Sequence, residues 1–309
     1  MTNSTPSQRP FQQVDVFTAT PYYGNPLAVV LDGSGLSDAQ MQHFAHWTHL
    51  SETTFVLPPT PEGAAQGADY RVRIFTPGAE LPFAGHPTLG SCHAWLQAGG
   101  QPRAKGRIVQ ECGVGLVQLR NDSNQLAFAA PPLKRSTPSP SQLALIAQAL
   151  GLKSQQIVAA QLLDNGPVWL GLLLDSVQTV LGLQPDHLAL KNLGVKVGVV
   201  AVEEPPEAPP ALIARSNREA RAFVHTDAPS VEVRAFAAPL GIIEDPVTGS
   251  LNASLAQWLM ADGYAPTTYT ASQGTCLDRA GRVQLSRDAS GQVWVGGDAV
   301  TCITGTVWL

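Results

Sequence analysis

The stretch Glu80–Leu96, E-L-P-F-A-G-H-P-T-L-G-S-C-H-A-W-L, has a second copy far downstream, E-D-P-V-T-G-S-L-N-A-S-L-A-Q-W-L at Glu244–Leu259. Superposing the two places Gly85 on Gly249, His86 on Ser250 and Thr88 on Asn252. In each copy a turn punctuated by Pro and Gly runs into a helical pattern. Each helix therefore opens on N–H groups with no intrahelical acceptor and on the positive end of its dipole. Such an end holds a carboxylate. Two of them, one per half, predict two similar domains closing on one anionic small molecule. Two ordinary capped helices in unrelated halves are the competing account of so short a repeat.

The 309 residues suit two domains, and 44% apolar against 14% charged residues is ample for substantial cores. A net charge of −5, no Lys/Arg block and six scattered Trp give no support for a nucleic-acid partner. The N-terminus M-T-N-S-T-P-S-Q-R-P is polar and the longest apolar run, Val168–Leu174, is far below a membrane span. No membrane role is expected, and the location expected is cytoplasmic. Cys92, Cys112, Cys276 and Cys302 are widely spaced without a C-x-x-C, so they read as buried free thiols.

Many short strands with few helices are expected. Residues 12–17 alternate as a strand, and the turn Tyr23-Gly24-Asn25-Pro26 leads into a second at 27–31. Ser37 with Gln40 forms a capping box for a helix to about Thr48, with Met41, Phe44 and Thr48 on one face. Glu52 then falls at a helix-to-strand junction, where a side chain can project into a cleft. Strands at 70–75, 106–111, 116–119 and 126–129, with a helix at 88–97, complete the first half.

Four prolines in Pro131–Pro140 make the clearest linker. The second half restarts as a helix at 141–150, followed by strands at 168–174 and 198–202, a surface loop at 203–210 and a strand at 231–235. The second turn–helix ends at Gly263. Strands at 269–274, 282–286, 293–295 and 302–309 close the chain. This is mixed sheet about helices, without the regular alternation of a Rossmann fold.

The motifs V-D-V-F, G-N-P-L-A-V-V, S-E-T-T-F-V, R-I-F-T-P, E-L-P-F-A-G-H-P-T-L-G, D-P-V-T-G-S and A-S-Q-G, in this order over nearly the whole chain, resemble the PhzF-like phenazine biosynthesis family, within the diaminopimelate epimerase fold. The resemblance implies an α+β fold of two pseudo-symmetric domains, each a barrel-like mixed β-sheet around a central helix. The domains are expected at 1–130 and 131–309, with the last strand free to return to the first. The resemblance also implies an active site in the cleft between them, a homodimer, and neither metal nor organic cofactor.

Diaminopimelate epimerases and proline racemases carry one catalytic Cys at each helix start. The matching places here read Ala84 and Asp245, so two-thiol racemisation is not expected. The family instead assigns acid/base work to the Glu of S-E-T-T-F, here Glu52. Burial that raises its pKa toward neutrality would let it take a proton from carbon and return one elsewhere. His86 is a second catalytic candidate, bonding or relaying a proton. Asp245 is a third, as partner for a substrate amine or hydroxyl, although an Asp near a helix start is commonly a cap. Gly85, Gly249 and Ser250 are expected to bind a substrate carboxylate. Asn25 is a candidate substrate contact for which a plain turn role is favoured. His43, His46 and His49 drift around a helix and read as an exposed face rather than a metal site.

Two departures from the family pattern leave the substrate open: His49 stands where many relatives have Asn, and C-L-D-R-A-G-R follows A-S-Q-G. The function expected is a cofactor-independent isomerase or epimerase acting on a small carboxylate. Isomerisation of trans-2,3-dihydro-3-hydroxyanthranilate is the concrete example. The alternatives are an amino-acid racemase using Glu52 with Asp245 or His86, and a non-catalytic metabolite- or partner-binding protein.

Overall fold

The structure, a computed structural model, describes residues 6–122, 125–203 and 230–309. The first half contains β1 (Gln8–Val16), β2 (Asn25–Val30), α1 (Asp38–Thr48), β3 (Thr53–Leu57), α2 (Pro61–Ala65), β4 (Tyr70–Phe75), β5 (Glu80–Leu81), α3 (Gly85–Gln97), β6 (Arg107–Cys112), β7 (Gly115–Asp122) and β8 (Gln125–Ala129). The second begins with β9 (Lys134–Ser136), α4 (Pro140–Leu150), β10 (Ile157–Asp164), β11 (Val168–Leu174), α5 (Val177–Gly182), α6 (His187–Leu193) and β12 (Val197–Glu203). It continues through β13 (Ser230–Ala237), β14 (Ile242–Asp245), α7 (Gly249–Asp262), β15 (Thr268–Gln273), β16 (Gly281–Arg287) and β17 (Val293–Gly297), and the chain ends in β18 (Ala299–Trp308).

Pairing gives both halves the same order. In the first it is β18–β1–β2–β3–β4–β6–β7–β8, and in the second β9–β10–β11–β12–β13–β15–β16–β17. The successive pairings run antiparallel twice, parallel, antiparallel, parallel, then antiparallel twice in each. Every parallel pair needs a crossover. The crossovers are α1 and α3 in the first half, and α5 with α6, then α7, in the second. β5 hangs on β4 as β14 hangs on β13. β8 pairs with β17, so the described strands join in one sheet that curls around α3 and then around α7.

Both central helices are buried on most sides, α3 along Gly85–Cys92 and α7 from Leu251 through Ala256, which small and apolar residues permit where an amphipathic helix could not. The main core joins these helices to the inner faces of both half-sheets through Leu27, Leu89, Phe128, Leu251, Trp258 and Val295.

The capping box at Ser37 and Gln40, the end of α1 at Thr48 and the left-handed Gly263 that closes α7 agree with the sequence. On α1, Met41 and Phe44 are buried, Thr48 is half-buried, and His43, His46 and the cap His49 are exposed. Two expectations need correction, and one segment without an assignment gains one. The proline-rich linker contains β9, three residues that fit between prolines because they pair along one edge only. The segment 157–164, although rich in Ala and Leu, is strand β10, held from both sides by β9 and β11. Of the four free cysteines only Cys92 is buried; Cys112 and Cys302 are half-buried, and Cys276 is exposed. Of the expected loop at 203–210, residues 204–210 lie outside the described residues. Among the described residues no helix is long and apolar enough to cross a membrane.

Candidate active site

Among the described residues, side chains cap five of the seven α-helices: Ser37, Thr60, Ser139, Ser176 and Asp186 each accept from a first-turn N–H. The two central helices have no such cap. Ala84 precedes α3 and has nothing to offer. Thr248 precedes α7, but its hydroxyl donates to Asp245 Oδ2 at 2.5 Å, while its N–H goes to Gln273 Oε1 at 3.0 Å. The positions equivalent at the two helix starts are therefore Ala84 and Thr248, which corrects the pairing of Ala84 with Asp245. Neither is a thiol.

The two starts touch. A Cβ on Gly249 would lie 3.0 Å from Gly85 Cα and 3.2 Å from His86 N, and one on Gly85 would lie 2.8 Å from the Phe128 ring. Only glycine at both positions lets two positive helix ends approach this closely. Gly249→Ala should push backbone against backbone and destabilise the fold by about 1–3 kcal/mol, as overpacking does. Equal melting temperatures for variant and wild type would contradict this packing.

Beside these starts lies a cleft of about 1040 Å³, lined from both halves by Glu52, Ala84, Asn165, Lys196, Asp245 and Ser250 among others. Glu52 is delivered by α1, whose cap His49 takes a left-handed conformation (φ 55°), a region that favours Asn over His. Asp245 ends β14. Asn25, for which a plain turn role was favoured, is instead buried at the start of β2 and bridges the halves. Its Nδ2 donates to Asp245 Oδ1 at 3.1 Å and to the Val247 carbonyl at 2.8 Å.

His86 is not a lining residue but stands behind Glu52, with Nε2 3.3 Å from Glu52 Oε2. Neither atom makes a well-aligned hydrogen bond to any other described group. Burial, then the negative charge of Asp245, raises the Glu52 pKa to about 8. Burial pushes His86 down to about 3. Both are thus neutral at pH 7, and a Glu52 O–H rotated toward an unprotonated Nε2 satisfies both atoms. Asp245 is raised to about 6 by burial, opposed by hydrogen bonds from Thr248 and Asn25. Ser250 Oγ accepts from Trp169 Nε1 at 3.2 Å, which leaves its own proton for another acceptor.

Sequence reasoning did not single out Asn165, Trp169 or Lys196 on the wall of the second half. Nor did it note the recurrence of Arg73-Ile74-Phe75 as Arg234-Ala235-Phe236 before the two Glu of the repeat. In both copies the Arg forks onto that Glu, Glu80 or Glu244, and lies 5.1 Å from the Phe ring.

Residues 14–305 match a family model described as phenazine biosynthesis-like protein. The chain is 36% identical to antisense-enhancing sequence 1 of Schizosaccharomyces pombe, over 97% of this chain and 98% of the relative. It is 31% identical to trans-2,3-dihydro-3-hydroxyanthranilate isomerase of Pseudomonas aeruginosa, over 96% and 98%. A Bacillus anthracis phenazine biosynthesis protein of the PhzF family has the same fold, with a TM-score of 0.77 at 22% identity over 98% of this chain and all of that one.

Proposed function

The chain belongs to the phenazine biosynthesis-like family and is an isomerase, and from that premise we propose that it moves a proton between carbons of a small unsaturated carboxylate, with Glu52 as the only acid/base that exchanges it. The observation that carries this reading is a buried carboxyl of raised pKa beside two touching, uncapped helix starts. The substrate carboxylate takes the N–H groups at Gly85, Gly249 and Ser250 with the Ser250 hydroxyl. Ionised Glu52 removes a proton from a C–H conjugated with a double bond, the electron pair shifts along the system, and the Glu52 carboxylic acid returns a proton at the far carbon. One C–H bond breaks, one forms, and no oxidant or leaving group is involved.

A carboxylate with a pKa near 8 is a far stronger base than an ordinary one, yet roughly one in ten is ionised at pH 7. Neutral His86 receives the O–H of resting Glu52 and keeps it oriented. Asp245, held by Thr248 and Asn25, takes a substrate amine or hydroxyl. The substrate to try first is the one in the name of the Pseudomonas aeruginosa relative. Turnover of trans-2,3-dihydro-3-hydroxyanthranilate should be lost in Glu52→Gln, along with any solvent deuterium that the wild type places on carbon in D2O; turnover that persists in Glu52→Gln would count against Glu52, and exchange only at the α-carbon of amino acids would favour an epimerase.

The pH profile has a definite sign. Glu52 must ionise to accept a proton, so kcat/KM should rise with pH through about 8 rather than level off above 5. The group titrates together with Asp245, whose charge holds it up. Asp245→Asn removes that charge and should move the rising limb to lower pH. A limb that stays in place would show that the two carboxyls do not interact.

A further inference from the structure

Glu52 has a structural counterpart that the repeated helix starts do not reveal. It immediately precedes β3, and Lys196 immediately precedes β12; these strands run parallel to β2 and β11 with Ala28 opposite Thr53 and Leu170 opposite Val197. Both residues line the same cleft. The Lys196 carbonyl accepts from the Leu170 N–H at 2.8 Å, which fixes the backbone, and its Nζ lies 4.8 Å from the Trp169 ring centroid. Because Trp169 bonds Ser250, Lys196 belongs to the same wall as the start of α7.

The two cations that line the cleft among the described residues differ in what they already hold. Arg120 is paired with Asp288 at 2.9 Å and stacked on Trp294 at 3.5 Å. Lys196 takes part in none of the ion pairs among the described residues. Burial lowers its pKa, as happens when an ammonium loses water without gaining an anion. On the same wall Asn165 is 7% exposed; its Nδ2 donates to the Ser250 carbonyl at 3.0 Å, and its buried Oδ1 has no partner. An anionic ligand group beside an O–H or N–H donor would satisfy both residues. The cleft, at the upper end of small-molecule sites, has room for such a ligand.

We propose that Lys196 anchors a second anionic group of the substrate, so that the preferred substrates are acids with one carboxylate at the paired helix starts and another negative group at Lys196. The inference rests on the isomerase reading above for the first carboxylate. Lys196 sets which acid is held and takes no part in the proton transfer.

Calorimetric titration of the full chain with anthranilate and with aminoterephthalate, which adds a second carboxylate to the same ring, tests this. The diacid should bind about tenfold more tightly, and the gain should shrink with added salt. Lys196→Met should bring the two acids within about twofold of each other without weakening anthranilate, and Lys196→Arg should keep most of the gain. Equal affinities for wild type, a gain indifferent to salt, or equal weakening of both acids by Lys196→Met would overturn the proposal. The wild-type comparison and its salt dependence require no variant to fold. Anthranilate binding with Glu52-dependent exchange but no gain for the diacid would sink this inference alone. Proton exchange that survives Glu52→Gln would sink the proposed mechanism and leave Lys196 untouched.

Discussion

Replacing Glu52 by Gln should lower kcat by about 10²–10⁴-fold, the usual loss on removing a general acid/base, while ligand affinity stays within a few-fold of wild type. The same change should make the protein more stable at neutral pH. With a folded pKa of about 8 against an ordinary 4.5, folded Glu52 keeps a proton that the unfolded chain releases. Its contribution to stability is full below the unfolded value and is lost as pH rises toward the folded one. At pH 7 that loss is on the order of 2 kcal/mol, allowing for the 14% of the side chain that remains exposed. An amide cannot ionise, so the variant should gain about this much at pH 7 and nothing at pH 4. Denaturant melts at the two pH values, together with single-turnover kinetics, separate the effects. A fully active variant would remove Glu52 from the mechanism, and an unchanged stability difference between pH 4 and 7 would show that the carboxyl is not held neutral.

The parts of this fold legible in the sequence are those where backbone chemistry forces a residue type. Gly85 and Gly249 stand out because no other residue fits where two helix starts touch, and the box at Ser37 and Gln40 is a local hydrogen-bond pattern. Glu52, by contrast, is legible only through its motif. Nothing local distinguishes it from a solvated carboxylate, since its raised pKa comes from burial in the folded chain and from the charge of Asp245, 193 residues away, with His86, 34 residues away, standing behind it. α5 and α6 span six and seven residues, under two turns each, too short for a period to register. β10 has a helix-like composition that strand pairing on both sides overrides. Lys196 was invisible for a different reason. Its equivalence to Glu52 lies in parallel-strand register, which leaves no repeat in the letters.

Arg234→Met should destabilise the fold by about 3–5 kcal/mol, whereas Arg73→Met should cost about 1 kcal/mol or less, although the two arginines occupy equivalent places. Arg234 forks onto Glu244 at 3.0 and 2.8 Å, and both side chains are only 6% exposed. Its Nη1 also donates to the carbonyls of Val180 and Leu183 at 3.1 and 3.0 Å, tying β13 and β14 to α5 and its cap. Removing it strands a buried carboxylate and two buried carbonyls, the costly way to break an ion pair. Arg73 makes the same fork onto Glu80 at 2.8 and 2.6 Å and reaches Asp38 at 2.7 Å, but these acids are 42% and 85% exposed, so water replaces what the mutation removes. Glu244 is also the residue before Asp245, so Arg234→Met should loosen the β14 end of the cleft and lower kcat in protein that is still folded, an effect absent from Arg73→Met. Urea melts and kinetics on the two variants read both quantities. Equal stability losses would mean that the shared fork, rather than its burial, sets the energy, and full turnover in folded Arg234→Met would detach the fork from the placement of Asp245.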